Sequence, residues 1–161
     1  MKAFLIKGAL ALTVVLSSGY LFFDRYSIGI DKQVVKCLPY TFYLYDKKNQ
    51  DVKKGDYLVF HADGMDPVIP DGDLVAKKVA AVAGDVVSIS FEQTTINGEV
   101  WENGELREPK NVDIDTESLV RTFTVQEGEI FTMGTLLTSW DGRYVGPISK
   151  DQIVAKAYPI R

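Results

Sequence analysis

The sequence predicts an all-β domain behind one N-terminal transmembrane helix, and three observations carry that expectation. Residues 4–23, "FLIKGALALTVVLSSGYLFF", are apolar apart from Lys7 and three small hydroxyl residues, about the 20 residues that a hydrocarbon core requires. Beyond them no helical stripe of useful length occurs, whereas short β-branched and aromatic runs recur to the end of the chain. Between the runs lie "KKGD", "PDGD", "AGD", "ING" and "DGR", each supplying Gly, Asp or Asn for a turn.

The chain has 161 residues and is 46% apolar, enough for one domain with a core of its own. Its 18 basic and 22 acidic side chains leave a net charge of −4. No global positive field exists to hold a phosphate backbone, which argues against nucleic acid as a partner.

Taken in order, the first element is the anchor. Lys2 and Lys7 sit at its start, so the positive-inside rule makes residues 1–23 a cytoplasmic tip and membrane span and puts residues 24–161 outside. The competing reading is a cleaved secretory signal, with Ser17 and Gly19 spaced as a cleavage site wants. The apolar run continues through Phe23, which a permanent anchor needs and a removed signal does not. Either way the domain is exported.

Strands are expected at 40–45, 57–60, 74–82, 86–90, 94–101, 119–125, 129–133 and 152–160, where the β-branched and aromatic runs fall. Asn97-Gly98 is the strongest hairpin signal and fits a two-residue type I′ turn. Residues 102–118, "ENGELREPKNVDIDTES", are polar and acidic and read as a surface loop or small insertion.

Two residues raise a chemical question. In a strand as apolar as "LVAKKVAAV", Lys77 and Lys78 point to opposite faces, so one of them faces the interior. Burial disfavours an ammonium, and a lysine whose pKa falls to around 7 to 8 is a usable general base. An edge strand on which both lysines reach solvent is the plainer alternative. Cys37 is the only cysteine. Outside the cytoplasm it cannot make an internal disulfide, so it is buried packing, paired with another chain, or reactive. His61, the only histidine, reads as an ordinary strand-end residue, since no second histidine exists for a zinc cluster.

Taken together, the segments resemble the bacterial type I signal peptidase family, most closely its conjugative-transfer branch, the TraF-type pilin-maturation peptidases. The match covers nearly the whole chain. After the anchor, "CLPYTFY" resembles Ser-x-Pro-x-Gly-x-Tyr, with Cys37 at the nucleophile position and Pro39 and Tyr43 in register. "KKVAAVAGD" resembles the Lys-Arg-Val-x-x-x-x-Gly-Asp box, whose first lysine is the general base, here Lys77, with Gly84 and Asp85 closing it. "SWDGRYVGP" resembles Ser-x-Asp-Ser-Arg-x-x-Gly and places Ser139, Asp141, Arg143 and Gly146.

The resemblance implies a signal-peptidase-like β-sheet catalytic domain in the periplasm of a bacterial inner membrane. In it Cys37 and Lys77 are neighbours, Ser139 bonds near the amine, and Asp141 and Arg143 form a supporting ion pair. It implies no cofactor and no metal. The substrate would be an exported precursor such as a pilin, with transfer or pilus assembly proteins as further partners, and the substrate's own amine is a second acceptor beside water. Val35, Tyr40 and Ala76 are the residues expected around the cleaved bond. Three departures stand out: cysteine replaces the serine nucleophile, Thr41 replaces a glycine, and Val35 stands where family members often carry a hydroxyl that assists the oxyanion hole. Cys37 and Val35 support a rival reading, an inactive member kept as an assembly scaffold. A soluble self-cleaving regulator on the same dyad is a third, disfavoured by the membrane segment.

Overall fold

The computed structural model describes residues 2–31, 36–107, 112 and 114–160. Helix α1 (Lys2–Arg25) buries none of its residues against the rest of the chain and is long and apolar enough to cross a membrane. Its one threonine is satisfied locally, Thr13 Oγ1 donating to the Ala9 carbonyl at 3.0 Å, the i−4 bond that lets a hydroxyl sit in an apolar helix.

The helix passes without a linker into β1 (Tyr26–Ile30), an edge strand that sequence pattern missed because "YSIGI" is short, glycine-interrupted and contiguous with the anchor. The junction is tied down from β2 (Phe42–Asp46) and the turn after it. Arg25 Nε and Nη2 donate to the two Asp46 oxygens at 2.9 and 2.7 Å, Lys47 Nζ donates to the Phe23 carbonyl at 2.9 Å, and Lys48 pairs with Asp24.

From there the chain forms β3 (Tyr57–His61) and β4 (Leu74–Val82), then β5 (Val86–Ile89), β6 (Thr94–Ile96), β7 (Glu99–Val100) and β8 (Arg121–Thr124). It returns through β9 (Glu129–Met133), the single-turn helix α2 (Gly142–Val145), β10 (Ile148–Ser149) and β11 (Ile153–Ile160). Two antiparallel sheets result, ordered β1-β2-β11-β3-β4-β9-β10 and β7-β6-β5-β8. The predicted Asn97-Gly98 turn is present between β6 and β7, with φ of 53° and 83°, the positive values that a type I′ turn needs. Asn97 Oδ1 also accepts the Val86 N–H at 2.8 Å, fixing the turn to β5.

Alternation along β4 separates two apolar clusters. Val75 and Val79 join Leu58, Phe60, Ile130 and Phe131 in the main core. Ala76, on the other face, packs against a smaller cluster of Leu38, Tyr43 and Ala157 with Tyr40, Tyr45 and Tyr57 around it.

Two expectations change. The run at 119–125 begins with a 3-10 turn, Glu117–Leu119, and only Arg121–Thr124 is strand. Leu119 turns inward and is buried, so its apolarity reports packing and not pairing. The 102–118 segment is only partly superficial: Leu106 is buried, and Val112 and Ile114 pack on the main core. Residues 108–111 and 113 of it lie outside the described residues.

Lys156 Nζ donates to Asp56 Oδ2 at 2.6 Å, and the Lys53 N–H donates to the same oxygen at 3.0 Å. Burial opposes the Asp56 charge, but these two donors outweigh it and hold its pKa below the ordinary 3.8. The Arg25 guanidinium holds Asp46 low in the same sense. Because the folded state binds fewer protons here, this stability is complete above about pH 4 and is lost as pH falls through the depressed folded values. In melting scans of the full chain in detergent between pH 7 and 2.5, the midpoint drops below pH 4. Asp56→Asn lowers the midpoint at pH 7 and makes the acid drop shallower.

Candidate active site

Lys77 is fully buried, with 0% exposure. It shares the core-facing side of β4 with Val75 and Val79, opposite Leu58 on β3, and its Nζ donates to Ser139 Oγ at 2.9 Å. The alternative in which both lysines reach solvent therefore fails: Lys77 is enclosed, and only Lys78, half-buried on the other face, retains exposed surface. β4 pairs with β9 only from Lys78 onward, Lys78 opposite Met133. Among the described residues, no strand covers the β9-side edge of residues 74–77.

Cys37 sits in the loop between β1 and β2, with 8% exposure. The Asp31 N–H donates to the Thr41 carbonyl at 2.8 Å and closes the loop at its base. Leu38, 1% exposed, plugs the next position into the smaller cluster. Thr41, where a glycine was expected, accepts from Lys36 Nζ through its hydroxyl at 2.5 Å. The Cys37 carbonyl accepts the Thr135 N–H at 3.0 Å, which attaches the loop to the segment following β9.

Gly134 is the point where Cys37 and Ser139 meet. A β-carbon there would lie 2.1 Å from Ser139 Oγ and 2.7 Å from the Cys37 carbonyl oxygen, so no side chain fits. The Cys37 backbone, Ser139 and Lys77 therefore form one neighbourhood, although they are far apart in sequence.

Behind them Asp141 and Arg143 are both buried at 0% exposure. Asp141 Oδ1 accepts Arg143 Nε at 2.9 Å and Oδ2 accepts Nη2 at 2.9 Å, the two-point geometry a planar guanidinium favours. Asp141 also accepts the Gly134 N–H at 2.9 Å and, as the N-cap of α2, the Arg143 N–H at 3.2 Å. The remaining Arg143 donors reach the Ser139 carbonyl at 3.0 Å, the Glu105 carbonyl at 2.6 Å and the Asn103 carbonyl at 3.3 Å. Burial works against the guanidinium charge, and the Asp141 carboxylate more than offsets it, holding the Arg143 pKa above its ordinary value.

Cys37 opens onto a cavity of about 330 Å³ lined by Ala76, Leu74, Asp73, Tyr43, Tyr45, Ile30 and Asp31. Burial pushes the Tyr43 phenol well above the ordinary range. Of the residues expected around the bond, Ala76 lines the cavity and Val35 lies outside the described residues. Tyr40 is not among the lining residues; its ring stands edge-on to Tyr43 and Tyr57 at 6.2 and 5.7 Å in the smaller cluster, which also holds the cavity residues Tyr43, Tyr45 and Ala76. Gly84 and Asp85 close the turn after β4, where Asp85 Oδ2 accepts the Val82 N–H at 3.0 Å. His61 Nδ1 donates to the Gly72 carbonyl at 2.9 Å and is not among the residues lining the cavity. Sequence reasoning missed Gly134, Thr135, Asn103 and Glu105; all four act here through backbone atoms, which leave no residue-type signal.

An antiparallel β domain built around a buried lysine, behind a membrane-length helix, defines the class. The family model for signal peptidase, peptidase S26, matches residues 2–160, and the chain belongs to that family. It is 28% identical over 160 residues to a plasmid transfer protein TraF of Escherichia coli, the match covering 84% of each chain. It is 29% identical over 115 residues to signal peptidase I of Bacillus caldolyticus, covering 65% of this chain and 59% of that one. A crystal structure of a signal peptidase I from Enterococcus faecalis aligns with a TM-score of 0.41 and 23% identity, over 66% of this chain and 96% of that one.

The Asp141–Arg143 pair sets a stability expectation. Arg143→Leu leaves the Asp141 carboxylate buried without its counter-charge, a loss of about 3–5 kcal/mol. Arg143→Lys recovers only part, because an ammonium cannot reproduce the five-donor fork. Urea unfolding of the full chain in detergent should give midpoints in the order wild type, Arg143→Lys, Arg143→Leu. Equal midpoints would remove the pair from the structural account.

Proposed function

We propose that this protein is a membrane-anchored endopeptidase that cleaves exported precursor proteins, with Cys37 as nucleophile and Lys77 as general base. The observation that supports it most is Lys77, an amine with no exposed surface, hydrogen-bonded to Ser139 beside the loop that carries Cys37. A fully buried lysine costs stability, and a proton-transfer role accounts for its retention.

In this reading Cys37 sulfur attacks the carbonyl carbon of the scissile bond while its proton passes to Lys77 Nζ. The backbone N–H of Cys37 steadies the oxyanion. The Lys77 ammonium then protonates the departing amine, the C–N bond breaks, and a thioester remains. Water attacks the thioester, Lys77 takes its proton, and the acid product leaves with the thiol restored. If the substrate's own amine attacks instead, the product is cyclic. Ser139 orients the amine, and Asp141 and Arg143 position Ser139.

Residues before the bond occupy the cavity at Ala76, which admits small side chains, and their backbone adds to the uncovered edge of β4, since main-chain pairing tolerates varied sequences. The likeness to plasmid transfer proteins supports a pilin precursor, or another protein of a conjugative transfer system, as substrate. Lys2 and Lys7 at the start of α1 support an orientation with the β domain on the outer side of the inner membrane. A scaffold role without catalysis is the second reading, favoured by cysteine at the nucleophile position.

Precursor processing in cells separates the two, with intact mass as the readout. The wild-type chain should process, and Cys37→Ala and Lys77→Met should not; a product one water lighter than the linear peptide identifies cyclisation. Processing that survives Lys77→Met eliminates the peptidase reading and leaves the scaffold.

A further inference from the structure

A second cleft lies on the same face of β4 as the cavity beside Cys37. It has a volume of about 170 Å³ and is lined by Lys78, Val100, Trp101, Glu102 and Thr135. Leu74 and Ala76 line the first cavity and Lys78 the second, and all three side chains leave β4 on one side. Ala76 and Lys78 are two residues apart, about 6.7 Å along a strand, which is also the distance between alternate side chains of an extended peptide. The second cleft abuts the Cys37 loop at Thr135, one of its wall residues, whose N–H holds the Cys37 carbonyl.

The path of a bound peptide is constrained at this point. Beyond Lys77 the lane beside β4 is filled by β9, starting at Met133 opposite Lys78. A chain that lies along residues 74–77 and continues past Cys37 must therefore rise over Thr135, and the cleft is what it meets.

The chemistry of the cleft selects a charge. The Lys78 ammonium stands 5.5 Å from the Trp101 ring centre and 6.0 Å from that of Tyr57. The rings hold the ammonium in place and shield it from water, which makes its charge count for more. Among the described residues Lys78 has no ion-pair partner. Trp101 is itself fixed, its Nε1 donating to the Gly134 carbonyl at 3.1 Å. Thr135 Oγ1 is buried without a hydrogen-bond partner among the described residues. Glu102 is the opposing charge, but it is exposed at the rim and lies beyond ion-pair distance of Lys78, where solvent screens it.

We propose that this cleft is a substrate subsite that receives the second residue after the cleaved bond and selects an acidic side chain there through Lys78. The inference rests on the peptidase reading and adds to it a specificity on the leaving-group side. The full chain in detergent is assayed against peptides with alanine at the first and third positions before the bond. The second position after the bond carries Asp, Glu, Ala or Lys, and the same set is placed at the first, third and fourth positions as controls.

The Asp peptide should exceed the Lys peptide in kcat/KM by about tenfold, the size of one charge-assisted contact, and only at the second position. Lys78→Glu should invert that ratio, and Lys78→Gln, the gentler change, should bring it near one. A ratio unchanged in both variants, or a charge preference at another position, overturns the proposal. Failure of the peptidase reading looks different: no peptide of any charge is cleaved, and the subsite assignment falls with it.

Discussion

The site depends on one buried guanidinium. Arg143 has five N–H donors, and all five are used: two on Asp141 and one each on the carbonyls of Ser139, Glu105 and Asn103. A charge taken out of water is tolerable only when its hydrogen-bonding capacity is met in full. The requirement works in both directions, because every acceptor that satisfies Arg143 is thereby fixed in place. The segment from 103 to 105, the start of α2 and the carbonyl of Ser139 are fastened to a single planar group. Asp141 extends the attachment to Gly134, and Ser139 passes it to Lys77. The position of a buried amine is thus set by a side chain that does not touch it.

β4 divides the remaining work. One side of the strand carries Val75, Lys77 and Val79 into the main core, and the other presents Leu74, Ala76 and Lys78 to the two cavities. A period of two is all this separation needs. Adjacent lysines with the same formal charge end up in unlike surroundings, one dry and bonded to a hydroxyl, the other between aromatic rings at a cleft. A one-residue slip of register would exchange them, and the neighbours Leu58 and Phe60 forbid it by burying the same face.

Much of the fold was legible because its signals are local. Strands β4 and β9 appear with the boundaries their apolar runs gave, and Asn97-Gly98 marked its hairpin. The family resemblance named Lys77, Ser139, Asp141 and Arg143, which the fold brings together. What stayed hidden was of two kinds. The very short β10 and α2, and β1, whose run is broken by Gly29 and continuous with the anchor, exist because neighbours pair with them or cap them. Other contributions are made by the main chain. Nothing about glutamate at 105 or threonine at 135 announces a carbonyl owed to Arg143 or an N–H owed to Cys37.

The absence of slack between α1 and β1 makes the two a single lever. Arg25 grips Asp46 with two bonds, and Lys47 and Lys48 hold Phe23 and Asp24 from the same turn. Tilting or rotating the helix therefore carries the edge of the seven-stranded sheet with it. β1 and β2 flank Cys37 in sequence, and the Asp31 N–H to Thr41 carbonyl bond joins the two strands beyond their last paired residues. A tether of flexible residues would let a domain search the volume above a bilayer. Here the lie of the helix is passed directly to the edge of the sheet.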